Sequence, residues 1–147
     1  MKTSFLLLAA AVVLLAGSAQ AQKVATAQVP AAAAATFKKT FPTVKAVKWE
    51  KEGADYEAGF DMGKAEMSAV ITAAGVLKET ETEMAVDQLP APVQKTLAAN
   101  YKAYKITEAA KIVTAATGTT TYEAEVSQGG KHHDVLFNAD GTEVAKK

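Results

Sequence analysis

The chain has no cysteine, so no disulfide, thiolate nucleophile or thiolate-bound metal can be built from it. Arginine is also missing, and every basic residue is a lysine. Arginine supplies the bidentate fork that reads phosphate and guanine. Sixteen acids offset the sixteen lysines, leaving no basic excess, so nucleic acid is not an expected partner. No Gly-x-Ser-x-Gly elbow or phosphate-cradling glycine loop occurs. The longest apolar run, Phe5 to Ala16, is twelve residues, short of the roughly 18 that a membrane-spanning helix requires.

What is present begins with that run. Lys2, the apolar stretch and Ala19-Gln20-Ala21 have the layout of a secretory leader. Serine stands at position 18, where a lipidated leader would carry cysteine, so no acyl anchor is expected there. The expected product is cleaved after Ala21, periplasmic or secreted, and not inserted in the membrane. Residues 1–21 are thus a leader, 22–29 a short flexible lead-in, and 30–147 a single domain. Its fold must rest on packing alone, since exported domains without cysteine have no staples.

The remainder is a duplication. Val29-Pro30 recurs as Leu89-Pro90, and Ala33, Phe37, Phe41 recur as Val93, Leu97, Tyr101, each displaced by 60 positions. Tyr56-Glu57-Ala58 recurs as Tyr122-Glu123-Ala124, and Ala73-Ala74-Gly75 as Ala139-Asp140-Gly141, displaced by 66. The i, i+4, i+8 stripes predict one helix per repeat, opened by Pro30 and by Pro90. After each helix, alternating apolar and charged residues between short turns predict antiparallel strands. These fall near 44–51, 55–61, 64–72 and 76–84, then 104–113, 120–127, 131–138 and 142–146. The expected class is α+β: one helix plus a four-stranded antiparallel meander, used twice (30–86 and 87–147), with the helices packed on one face of the sheet. Each half alone would be marginal.

Strand alternation assigns faces. Tyr56, Ala58, Phe60 and Tyr122, Ala124, Val126, together with Val47 and Trp49, share the core phase. The other phase carries Asp55, Glu57, Asp61, Glu123 and Glu125, with Lys48, Glu50, Glu66 and Asp134 nearby, so the second face is expected to be mostly acidic.

Several of these segments carry a resemblance: Leu89-Pro90 before a helix, Val47-Lys48-Trp49-Glu50, Tyr56-Glu57-Ala58, Glu79-Thr80-Glu81-Thr82-Glu83, and Val135-Leu136-Phe137-Asn138-Ala139-Asp140-Gly141. Together they resemble the PepSY-like family of exported bacterial proteins, grouped by fold with the β-lactamase inhibitor protein. The resemblance spans about Val29 to Val144 and rests on helix starts, core strands and hairpin turns. It implies helices on an antiparallel sheet and brings no catalytic residue with it.

Function is therefore expected from surfaces rather than from a reaction. No catalytic residues are assigned; Ser68 and Ser127 stand in or beside strands with no obvious base. The candidate contact for an envelope or secreted protein is the acidic face, with Glu57, Asp61, Glu123 and Glu125, plus the long hairpin with Thr117 and Gly118. The alternative is a periplasmic small-ligand or divalent-metal protein. There His132 and Asp134, on one side of a strand beside Glu123 and Glu125, would hold an ion such as zinc. The bland reading of Lys131-His132-His133-Asp134 is one half-buried and one solvated histidine. For Glu79–Glu83 it is a solvated strand at the sheet edge, balanced by Lys45, Lys48 or Lys51. No organic cofactor is expected, and the oligomeric state is open.

Overall fold

The computed structural model describes residues 22–145, and the expected leader lies outside the described residues. The elements in chain order are β1 (Gln22–Val24), a 3-10 turn (Thr26–Gln28), α1 (Ala31–Thr40), β2 (Lys48–Glu52), β3 (Asp55–Met62), β4 (Ala65–Thr72) and β5 (Leu77–Met84). A second 3-10 turn (Val86–Gln88), α2 (Ala91–Asn100), β6 (Lys105–Thr114), β7 (Thr120–Gln128) and β8 (Lys131–Asn138) complete the described part. All eight strands form one antiparallel sheet in sequential order.

Two expectations are corrected. Residues 22–29, expected as a short flexible lead-in without a periodic pattern, hold a strand and a 3-10 turn. Gln22, Lys23 and Val24 pair with Lys51, Glu50 and Trp49, and the 3-10 turn carries the chain into α1. At the other end, the strand expected over 142–146 shows in its described residues, 142–145, a single bridge, Glu143 to Phe137. That bridge repeats the Ile71–Leu77 pair of the first half at an offset of 66.

These corrections re-cut the repeat. β1 before α1 corresponds, at an offset of 60, to residues 82–84 of β5 before α2. Residues 82–84 pair with 109–111 of β6, as 22–24 pair with 49–51 of β2. The unit is therefore strand, 3-10 turn, helix and three strands. β5 opens the second unit, so a boundary at residue 86 divides a unit from its own first strand.

Each helix is fixed by its apolar stripe and by one turn. Pro30 and Pro90 sit at the N-cap, one position before the first helical turn, and their carbonyls accept from the amides of Ala34 and Gln94 at 3.0 Å. Ala33 and Phe37, and Val93 and Leu97, are buried. The turn between β4 and β5 reaches α1 through Thr36, whose hydroxyl donates to the Gly75 carbonyl at 2.7 Å. Thr96 of α2 repeats this bond to Gly141 at 2.8 Å. Both glycines have positive φ, 84° and 85°, a region that costs other residues. A Cβ there would lie 2.8 Å from the Ala32 carbonyl oxygen or 2.5 Å from that of Pro92. Glycine is required twice over, by conformation and by contact.

Each half has its own core. Phe37 stacks edge-on with Phe60 at 5.1 Å and with Trp49 at 5.4 Å, over Ala58, Ala69 and Ile71. In the second half Val93 and Leu97 pack with Ala109, Ala124, Val126, Val135 and Phe137. Alanines at 58, 69, 109 and 124 let the helix backbones approach the sheet, because their side chains add little height. One unbroken cross-strand row, Phe60, Met67, Thr82, Lys111, Tyr122 and Phe137, joins the two halves.

Candidate functional site

The face opposite Phe60 and Phe137 is defined by the same register. One row reads Glu50, Glu57, Val70, Glu79, and the next reads Lys48, Gly59, Ser68, Glu81, Ile112. A third places Glu83, Ala110, Glu123 and Leu136 side by side. The last aligns Glu108, Glu125 and Asp134. The expected acidic face therefore exists, but its centre is not solvated. Glu57 is 8%, Glu81 7% and Glu123 1% exposed.

Burial without compensation dominates the chemistry. Both carboxylate oxygens of Glu123 and Oε2 of Glu50 are buried with no hydrogen-bond partner. A buried carboxylate loses its hydration, and neighbouring carboxylates oppose its charge further. Glu123 is pushed up to about 8, by burial first and then by Asp134, Glu79, Glu125 and Glu108. Glu81 is pushed up to about 9, by burial and then by Glu123, Glu57, Glu79 and Asp134. Glu57 rises to about 7 through burial, partly offset by a hydrogen bond with Ser68. Glu83 also reaches about 7, through burial and a hydrogen bond shared with Glu66. At neutral pH these glutamates hold protons to a degree that a solvated carboxylate does not.

Beside them the face opens into a cavity of about 420 Å³, lined on this face by Glu50, Glu57, Gly59, Ser68 and Glu81. Gly59 and Ser68 lie between Lys48 and Glu81 in one row. Two small side chains between two long ones leave a trough. With strands roughly 4.8 Å apart, that trough is about 14 Å across at the backbone.

The sequence-derived candidates are dispersed over this face. Glu57 forms a wall of the cavity, and Glu123 is buried beneath the surface. Both, expected as contact residues, are buried in the free protein; large neighbours such as Val70 and Leu136 flank them in their rows. Asp61 is exposed at the end of β3. Thr117 and Gly118 are exposed in the β6–β7 hairpin, where the Thr117 hydroxyl donates to Thr119 Oγ1 at 2.7 Å. Glu125 accepts from the Thr107 hydroxyl and meets His132 Nδ1 at 2.9 Å. Burial raises its pKa, but these two hydrogen bonds outweigh burial and hold it below the usual carboxylate value.

His132 and Asp134 share the acidic phase, and Asp134 stands opposite Glu125. Among the described residues no group of three or more His, Cys, Asp or Glu side chains has the geometry to hold a metal ion. Both histidines are exposed, which corrects the expectation that one would be half-buried; His133 lies edge-on to Tyr104 at 5.5 Å. Tyr101 and Tyr104 are half-buried against each other at 5.6 Å.

Two features escaped the sequence reading. Ser127 does have a base nearby: His132 Nε2 is 3.4 Å from its hydroxyl, and Nδ1 of the same ring meets Glu125. The order Ser, His, Glu is that of a catalytic relay, but it lies on open surface, with the His132 side chain 46% exposed. The run Glu79–Glu83 is not an edge. β5 lies between β4 and β6, and Glu79, Glu81 and Glu83 face Thr114, Ile112 and Ala110 rather than lysines. Its position between two meanders of one sheet was the signal that would have placed it centrally.

No curated protein matches the chain. Among solved structures, a "putative periplasmic" protein of Bacteroides eggerthii superposes with a TM-score of 0.72 at 19% identity, over 81% of this chain and 88% of that one. A DUF2874 family protein of Bacteroides uniformis gives 0.70 at 21% identity, over 79% and 86%. A BLIP-like protein of Bacteroides fragilis gives 0.64 at 25% identity, over 79% and 83%. The family described as "Putative beta-lactamase-inhibitor-like, PepSY-like" matches twice, at residues 17–79 and 71–143. The two matches overlap over residues 71–79, from the end of β4 through the turn to the start of β5. With almost the whole described sheet inside these two matches, the chain belongs to the PepSY-like family.

Proposed function

We propose that this protein is an exported, non-catalytic binding module that meets an envelope or secreted protein with the exposed parts of its acidic face and its hairpin ends. Both helices lie on the other face: Phe37 of α1 packs on Phe60, α2 packs in the cluster with Phe137, and these two strand residues end one cross-strand row. The observation that carries the reading is the helix-free face itself, bordered by exposed Asp61 and by the exposed β6–β7 hairpin with Thr117 and Gly118. Family membership supports an inhibitor-like role, and the names of the BLIP-like and periplasmic neighbours point the same way. The leader-like segment supports export, and among the described residues no helix is long and apolar enough to cross a membrane.

The contact surface is the exposed rim rather than the buried centre. Asp61 stands at the end of β3 and Thr117 in the β6–β7 hairpin. Cross-linking capture from envelope extract is expected to recover a specific protein with the native chain and lose it with Asp61→Lys or Thr117→Lys. Recovery of the same protein at the same level with both variants would remove the acidic face and the hairpin from the contact.

Non-catalytic is meant literally for the Ser127–His132–Glu125 relay. It lacks an enclosing pocket that would orient an acyl group or exclude water. Hydrolysis of p-nitrophenyl acetate is expected to stay at the level of free imidazole and to show no saturation. Saturable turnover abolished by Ser127→Ala would make the protein an esterase and end this reading.

A further inference from the structure

Gln22 stands where export would place a new end of the chain. Cleavage after Ala19-Gln20-Ala21 makes it the first residue of the mature protein. It is also the first residue of β1, is exposed, and pairs with Lys51 of β2. A terminal glutamine carries a nucleophile and an electrophile on one residue, the α-amine and the carboxamide carbon Cδ. Joining them closes an unstrained five-membered ring, and reaction within one residue avoids the entropy of bringing two molecules together.

We propose that Gln22 is a modification site, closed to pyroglutamate once the leader has been removed. The α-amine nitrogen attacks Cδ, a new N–C bond forms, and the bond from Cδ to Nε2 breaks. The proton given up by the amine goes to the departing nitrogen, which leaves as ammonia. The step consumes no oxidant, reductant or second substrate, so the only helper it calls for is a cyclase of the acyl-transfer class. The inference rests on the export reading and on cleavage after Ala21, and on nothing about the protein partner.

The fold makes the state of this end matter. β1 is the outermost strand of the sheet and only three residues long. Lys51 stands across from Gln22 and Lys23 follows it, so an ammonium on Gln22 is set beside two like charges. The neutral lactam removes that repulsion. Its ring fixes the N–Cα torsion as proline does, which the first residue of a strand accepts. The ring also keeps one N–H, and the Gln22 carbonyl is untouched, so pairing with Lys51 survives. An open terminus, by contrast, is the preferred entry for stepwise trimming. Loss of Gln22, Lys23 and Val24 would unpair Lys51, Glu50 and Trp49. It would also take away Val24, which packs half-buried against the core of the first half.

The test is to recover the exported protein from the envelope of the bacterium that makes it and to read its end by intact mass and stepwise N-terminal sequencing. The expected mass is that of residues 22–147 less one ammonia. Sequencing is expected to be blocked until pyroglutamyl peptidase removes the first residue, and then to read Lys23, Val24, Ala25. Gln22→Ala, expressed with its leader in the same bacterium, is expected to read alanine at the first cycle and to lack the ammonia deficit. A chain that begins at Gln22 with an open amine would overturn the inference and leave export standing. The same deficit in Gln22→Ala would also overturn it, by placing the lost ammonia at another residue. A chain that keeps its leader would overturn the inference together with the export reading, so the two failures are told apart by one mass.

Discussion

At the scale of residues, three glutamates set the behaviour of the molecule. Glu57, Glu81 and Glu123 all titrate higher in the folded protein than the ordinary carboxylate value of 4.5, at about 7, 9 and 8. A folded pKa above the unfolded one means that the native state holds the proton more tightly. The associated stability is complete below about pH 4.5 and is lost as the pH rises through 7 to 9. The melting temperature is therefore expected to fall between pH 5 and pH 9. Glu123→Gln keeps the shape and removes the ionisable group. It is expected to stabilise by on the order of 2 kcal/mol or more at pH 9 and to change little at pH 5. Circular-dichroism melts of both proteins at the two pH values measure this. A variant destabilised equally at both pH values would show that Glu123 has a partner after all.

At the scale of elements, the helices are held by turns as much as by their stripes. Thr36 with Gly75 and Thr96 with Gly141 form the same clasp twice. Gly141→Ala places a Cβ against the Pro92 carbonyl at positive φ, so it is expected to cost about 3 kcal/mol or more. Gly118→Ala, at φ 69° with open space around it, is expected to cost only about 1 kcal/mol, the conformational part alone. Denaturant melts of the two variants separate contact from conformation, and equal losses would contradict the clasp. The clasps were legible as a repeated Ala-Ala-Gly and Ala-Asp-Gly, though only as turns, because a sequence does not state what a turn touches. Helix stripes, core phase and hairpins were equally legible, since periods of 3.6 and 2 follow from backbone geometry. β1 was not: Gln22-Lys23-Val24 has too few residues to display alternation, and its pairing with β2 is long-range. The burial of Glu81 and Glu123 was hidden for a related reason. Alternation assigns a face to a side chain, whereas its hydration depends on neighbours brought in from three or four other strands.

At the scale of the whole molecule, two copies of a strand–helix–three-strand unit, β1–β4 and β5–β8, pair through β4 and β5 and become one sheet. The β4–β5 pairing joins two four-stranded halves into one eight-stranded sheet, in a chain with no disulfide. The pairing also makes the acidic face continuous, so that acids from β3 to β8 act on one another across the junction. The central claim is that this face, and not the helical one, meets the partner. Cross-linking with a lysine-reactive reagent, followed by mapping of the linked residues, tests it most directly, because lysines stand on both sides. Lys23 and Lys48 lie in the phase of the acidic face, whereas Lys38 and Lys39 are exposed on α1 and Lys95 on α2. Partner cross-links concentrated at Lys23 and Lys48 are the predicted result, and cross-links concentrated at Lys38, Lys39 and Lys95 would contradict the account.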